Sequence, residues 1–274
     1  MSDTGSLSTS DAQALLLLDD YFASLLGCSP NDLRRSGWTS LRARTEGDPM
    51  ALLFGMRTLA HIIAPVAAPG DPQVGAAAVA ALAPEMRAAV GALLRATPPE
   101  RFFAPESLAT LDALVSAQTY EPLAPSCEPH LTLWYITRPR LRPHLTPWQE
   151  WIERLDETTE SDPFAIALLA RHGGGVFVVR ERGVIIAYVG LRAQSPHVWE
   201  LLEPTLTSRA PAAVADRPDD LLTALVARAT RFALDGGRQP VCATGASAIR
   251  LERALAELGY LPYALSSVYT TAMR

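Results

Sequence analysis

The densest chemistry in the sequence lies at residues 217–220, where Arg217, Pro218, Asp219 and Asp220 directly precede an apolar run of helical period. Proline at the start of a helix forfeits no hydrogen bond, and the free N–H groups and dipole there attract anions. Arg217 can add charge-assisted bonds to a phosphate. Asp219 and Asp220 complement the dipole themselves and so oppose a second anion; ordinary helix-start chemistry is the competing explanation for both.

Other constellations exclude reaction classes. All 24 basic residues are arginine, so no Walker-A lysine, Schiff-base lysine or Ser–Lys dyad exists. Cys28, Cys127 and Cys242 are isolated, and His61, His130, His144, His172 and His197 form no H-x-H or H-E-x-x-H pair. Reduced thiols and no metal site are therefore expected. Ser247, within Gly245-Ala246-Ser247-Ala248-Ile249, lacks the second glycine of a nucleophile elbow. Gly173, Gly174 and Gly175 precede a β-rich run instead of following one, the reverse of the dinucleotide fingerprint.

The positioning elements follow from composition and period. With 274 residues, 49% of them hydrophobic, the chain can bury one large core or two small ones. No apolar run reaches the roughly 18–20 residues of a membrane span, and the polar N-terminus lacks a basic n-region, so a soluble cytoplasmic protein without a membrane partner is expected. A net charge of −5, with arginines and carboxylates interspersed, argues against a nucleic-acid partner.

Leucines at helical spacing predict a helix over 11–26. Residues 37–44 and 51–64 read as a hairpin around Gly47-Asp48-Pro49, residues 71–94 as a helix opened by Asp71-Pro72, and 105–119 as another. A proline-studded segment then sets a domain boundary near Pro125, giving domains 1–125 and 126–274. In the second, 131–137 suits a strand, and 146–154 and 162–172 suit helices. Residues 176–180 and 184–192 suit an antiparallel hairpin turning at Gly183, and 198–207 a third strand. A helix over 218–235, a strand over 241–244, a helix over 247–258 closed by Gly259, and a last strand over 264–271 complete the chain. The fold class is α/β (α+β).

This order resembles that of the GNAT (GCN5-related N-acetyltransferase) superfamily. "VFVVRERGVIIAYVGL" (176–191) is similar to the family's second and third strands, "LLTALVARATRFALDGG" (221–237) to the helix after the acetyl-CoA loop, and "LERALAELGYLPYALSSVYT" (251–270) to the terminal helix, its Leu-Gly-Phe/Tyr exit and last strand. The match covers roughly the last 130 residues. "LGCSPNDL" (26–33), after a helix and before a hairpin, resembles a group of bacterial GNAT-like proteins, some with two such units, one degenerate.

The resemblance implies a mixed, mostly antiparallel sheet flanked by helices, a smaller N-terminal α/β half, and acetyl-CoA as cofactor. The acceptor is then a small-molecule amine or a peptide, and a homodimer is one assembly to expect. It puts the cofactor beside Leu206, Thr207 and Arg209 and on an R/Q-x-x-G-x-G/A loop aligned with Arg217–Leu222. Arg217 matches, but Asp220 and Leu222 stand where the loop carries glycine or a small residue. Leu255 replaces the usual acid tyrosine and Ala248 an asparagine, while Tyr260 takes the usual Phe place. Glu200 and Glu203 lie where some members carry a general base; opposite parity lets only one face the cleft, and either is equally placed to face solvent. A GNAT-fold binding or regulatory module without turnover, and an unrelated α/β scaffold, are the alternatives.

Overall fold

The computed structural model describes residues 8–26, 29–31, 37–43, 56–65, 75–80, 88–89, 91–93, 96–97, 104–116, 131–155, 157, 160–172, 175–215, 218–245 and 247–272. In chain order these include α1 (Thr9–Leu26), β1 (Gly37–Ala43), β2 (Met56–Pro65), β3 (Gly75–Ala80), α2 (Pro105–Ser116) and β4 (Leu131–Tyr135). There follow β5 (Ile152–Arg154), α3 (Pro163–His172), β6 (Gly175–Glu181), β7 (Val184–Ala193), β8 (Val198–Leu201) and β9 (Thr205–Leu206). The short α4 (Ala212–Ala215), α5 (Asp219–Asp235), β10 (Gln239–Thr244), α6 (Ile249–Leu258) and β11 (Leu261–Ala272) complete the chain.

The chain divides into two compact units, each assembled from separate stretches: Met1–Gly5, Asp19–Thr132 and Tyr263–Arg274 in the first, Ser6–Leu18 and Leu133–Pro262 in the second. In the first unit, β3 lies between β1, which runs parallel to it, and β2, which runs antiparallel and also pairs with β11. Tyr263 donates its hydroxyl to the buried Asp19 at 2.8 Å and stacks on Phe22 at 5.3 Å. Two expectations fail here. Residues 37–44 and 51–64 do not form a hairpin, because β3 takes the place between β1 and β2. Residues 75–80, expected in a helix, are that strand; sheet neighbours on both sides override the helix preference of an alanine-rich run.

The second unit contains the strand order β4-β10-β8-β7-β6-β5, with β9 beside β7. β5 with β6, β6 with β7, and β7 with both β8 and β9 pair antiparallel, while β8 and β10 run parallel. Alternation splits the β6 side chains between two faces. Phe177 and Val179 join the core under α5, while Val176 and Val178 join a second cluster under α3. On β7 a bulge at Ile186 lets Ile185 serve the α3 cluster and Ala187 the α5 core.

Helix α5 forms where nine of its 17 residues can be buried, among them Leu221, Leu225 and Ala229. Asp162 caps α3 by accepting the Phe164 N–H at 3.0 Å, with Pro163 at the first position. Residues 146–154, expected as one helix, form instead a 3₁₀ turn over Pro147–Trp151 and then β5, which pairs with the edge of β6. The turn is too short to propagate, and the β6 edge offers the backbone better partners.

Candidate functional site

The run 198–207 is not one strand. The parallel pairing with β10 covers Val198 to Leu201, opposite Gln239 to Cys242, and then stops. Beyond it the chain keeps to β7: Leu202 donates to the Gly190 carbonyl, and Thr205 and Leu206 pair with Tyr188 and Ala187. One extra residue is accommodated there, since Leu201 faces Leu191 and Thr205 faces Tyr188. Pro204, which has no N–H to donate, sits in this bulge. β10 continues to Thr244, so the two parallel strands part company at their C-terminal ends.

A cavity of about 240 Å³ opens at this end. The β8–β9 segment contributes Glu203, Pro204 and Leu206 to its wall, and the first turns of α5 contribute Asp219, Leu222 and Thr223. Arg250, Leu251 and Ala254 of α6 close it. The wall is apolar with a few polar groups, the usual make-up of a ligand site.

Of the residues singled out in the sequence, this geometry brings together Glu203, Leu206 and Leu222. Glu203 is exposed at the wall. Glu200 is not part of that wall. It stands opposite Arg192 in the β7/β8 register, and its Oε2 accepts from Arg192 Nε at 3.0 Å, from Arg192 Nη2 and from Gln194 Nε2. Thr207 is tied back to β7, its hydroxyl donating to the Ile185 carbonyl and its N–H to that of Ile186, each at 2.9 Å. Arg209 is exposed in the following turn. Asp220 is exposed in the first turn of α5 and its carbonyl faces His144 Nε2 at 3.4 Å. Arg217 lies outside the described residues.

Sequence reasoning missed Arg250 and Arg253. Their guanidinium nitrogens lie 3.7 and 3.9 Å from the two carboxylate oxygens of Asp219, so this first-turn acid is partly neutralised. The signal was available: with Leu251 and Ala254 turned inward on α6, residues 250 and 253 share the adjoining outer face. Thr244, at the end of β10, is also organised: it accepts from Trp134 Nε1 at 2.8 Å and donates to Glu252 Oε1 at 2.9 Å. This ties β4, β10 and α6 together beside the cavity.

The buried groups nearby are not poised for proton transfer. Burial pushes the Cys242 thiol well up, reinforced by Glu200 and Glu203, and pushes the Tyr260 hydroxyl up despite its 2.6 Å bond to Thr230. Leu255, at the tyrosine position, is fully buried.

The fit to acetyl-CoA is divided. The cavity wall suits a thin chain of methylenes and amides. The helix start suits a pyrophosphate poorly: Pro218 offers no N–H, Leu222 projects into the wall, and Asp219 and Asp220 bring negative charge. Among the described residues no group of His, Cys, Asp and Glu could hold a metal, and no helix is long and apolar enough to cross a membrane.

No protein-family model matches the chain, and no curated protein matches it. Solved structures similar to it include a putative GNAT-family acetyltransferase from Novosphingobium aromaticivorans, at 20% identity over 56% of this chain and 71% of that one, with a TM-score of 0.39. A GCN5-related N-acetyltransferase from Kribbella flavida is similar at 16% identity over 59% of this chain, TM-score 0.39, and a tandem GNAT protein from the clavulanic acid biosynthesis pathway at 14% over 60%, TM-score 0.37. The chain spans less than two thirds of the latter two, 63% and 58% of their lengths. The second unit is a mixed α/β unit whose mostly antiparallel sheet is flanked by helices.

Proposed function

We propose that the second unit is a GNAT-type N-acyltransferase domain that takes an acyl thioester of the acetyl-CoA type and passes the acyl group to an amine of a small molecule or peptide. The observation that carries this reading is the cavity at the parting ends of β8 and β10, with the Glu203 carboxylate at its wall. It goes with the part of residues 126–274 that lies in that unit, Leu133–Pro262, as the acyltransferase core, a degenerate GNAT-like N-terminal half, a cytoplasmic setting, and assembly as a homodimer.

The thioester supplies an activated acyl carbon when bound. Glu203 accepts the proton that the acceptor nitrogen loses as the new amide bond forms, a role its exposure at the wall allows. Arg250 lends positive charge to the rim. With Leu255 buried at the tyrosine position, the departing thiolate takes its proton from water. Thiol release from acetyl-CoA, measured across a panel of amines and peptide N-termini, tests the reading. Release that depends on the acceptor and is lost in Glu203→Gln supports it. No release with any acceptor, and no calorimetric heat with millimolar acetyl-CoA or CoA, overturns it.

One observation favours a second reading, a binding or regulatory module without turnover: Glu200 is held by Arg192 and Gln194 away from the cavity wall, and no tyrosine reaches that wall among the described residues. Binding of CoA without acyl transfer is the outcome that selects it.

A further inference from the structure

We propose that the outer face of α3 is a self-association surface, occupied by the same helix of a second copy of this chain, packed antiparallel about a two-fold axis. This gives the homodimer a face, and it does not depend on the acyltransferase reading.

The inner face of α3 is accounted for: Ala165, Leu168 and Leu169 are buried with Val176, Val178 and Ile185 of the sheet. A surface helix ordinarily turns charged and polar residues outward. Here Phe164, Ile166, Ala167 and Ala170 are exposed instead, and no charge stands between Asp162 and Arg171. Phe164 is 41% and Ile166 48% exposed, and among the described residues no other helix carries two exposed large apolar side chains. Apolar residues scattered singly on a surface need no partner; a continuous face of them does.

The charges at the two ends of α3 identify the occupant. At its start Glu153, Glu160 and Asp162 share the single guanidinium of Arg180, at 2.5, 2.5 and 3.7 Å, which leaves negative charge in excess. At its end Arg171 is exposed and in no ion pair among the described residues. These charges also complement the helix's own dipole, which accounts for neither Phe164 nor Ile166 between them. An acidic start and a basic end are self-complementary only when two copies run antiparallel; a parallel pair sets like charges together. A two-fold axis between residues 166 and 167 brings Asp162 level with Arg171 of the second copy, and the reverse. Ile166 then meets Ala167 of the second copy near the axis, and the small Ala167 and Ala170 let the two backbones approach. One ten-residue helix face is smaller than the roughly 1,200–2,000 Å² total of a tight interface. The pairing is therefore reversible, with a dissociation constant of about 1–100 µM.

Sedimentation equilibrium of the full chain between about 5 and 500 µM tests this, the mass being expected to rise from that of one chain towards that of two. Ile166→Glu, at an exposed position, sets two carboxylates against each other at the axis and should weaken the dimer at least about tenfold. Arg171→Glu should weaken it about threefold or more. Cysteines locate the axis. Ala167→Cys comes within disulfide reach of its own copy and cross-links on oxidation, while Ala170→Cys stands about 10 Å from its copy along the helix and does not. Each is compared with the parent chain, whose Cys28, Cys127 and Cys242 set the background. A chain that stays monomeric throughout, a dimer unmoved by Ile166→Glu, or cross-linking at 170 equal to that at 167 overturns the proposal. None of these measurements reads acyl transfer or CoA binding, so the acyltransferase reading stands or falls separately.

Discussion

Arg192 and Glu200 are direct register partners across β7 and β8, and the Nε and Nη2 of that arginine both donate to one carboxylate oxygen of the glutamate. Gln194 Nε2 donates to the same oxygen. Three donors on one oxygen hold this side chain against β7. Glu203, three residues on and past the end of β8, is exposed at the cavity wall.

The two glutamates should therefore separate cleanly by mutation. Under the acyltransferase reading, Glu203→Gln lowers kcat by about 10²–10⁴-fold with little change in melting temperature. Glu200→Gln leaves kcat within about threefold and destabilises the fold by about 1–3 kcal/mol, because Arg192 loses its ionic partner. Steady-state kinetics beside thermal denaturation of both variants makes the comparison.

Gly259 ends α6 in the left-handed region at φ +95°, with the Tyr260 N–H reaching back to the Leu255 carbonyl at 2.9 Å. A Cβ at this position would collide with the Arg140 backbone carbonyl. Gly259→Ala thus combines left-handed strain with a backbone clash and should cost about 2–4 kcal/mol, read from urea midpoints.

Asp11 is fully buried and held by Arg140 Nε at 2.8 Å and Nη2 at 2.7 Å, with Thr137 and Ser8 also donating. Hydrogen bonding from Arg140 is the chief cause that holds its carboxyl well below the usual carboxylate range. Its folded pKa lies beneath the unfolded value of 3.8, so its stabilisation is complete above that value and is lost progressively as pH falls from there through the folded pKa. Asp11→Asn should lower stability at pH 7 by about 2–4 kcal/mol, and the difference from wild type should shrink on acidification below about pH 4 in denaturant titrations.

His172 closes α3 against Gly190: a Cβ on that glycine would lie 2.7 Å from the imidazole ring. Burial above all, then Arg171 and Arg192, pushes the His172 pKa down from 6.5. The unfolded chain therefore takes up a proton that the folded chain refuses, and stability falls as pH drops below about 7. His172→Gln should flatten stability between about pH 7 and 5, and Gly190→Ala should cost about 1–3 kcal/mol through overpacking.

Thr244 is shared between Trp134 Nε1 and Glu252 Oε1. Thr244→Val keeps the shape and leaves both partners without it, so a loss of about 1–3 kcal/mol is expected, with Trp134 fluorescence as the local readout.

What the sequence determined by itself was local. Glycines at 183 and 259 and the 3.6- and 2-residue periods from 162 onward placed α3, β6, β7, α5, α6 and their order, because turn chemistry and one-sided burial are written in neighbouring residues. Glu203, Leu206 and Leu222 were named by the resemblance to the GNAT superfamily. What only the tertiary structure decided was pairing and charge balance. Residues 75–80 became a strand because two other strands flank them, not because of their own propensity. Glu200 was withdrawn from the candidate site by Arg192 across the sheet, and Asp219 was partly neutralised by Arg250 and Arg253 from another helix. Contacts between residues distant in the chain depend on register and helix packing, which no local pattern encodes; that is why the order of the elements was legible and the charge pairings between them were not.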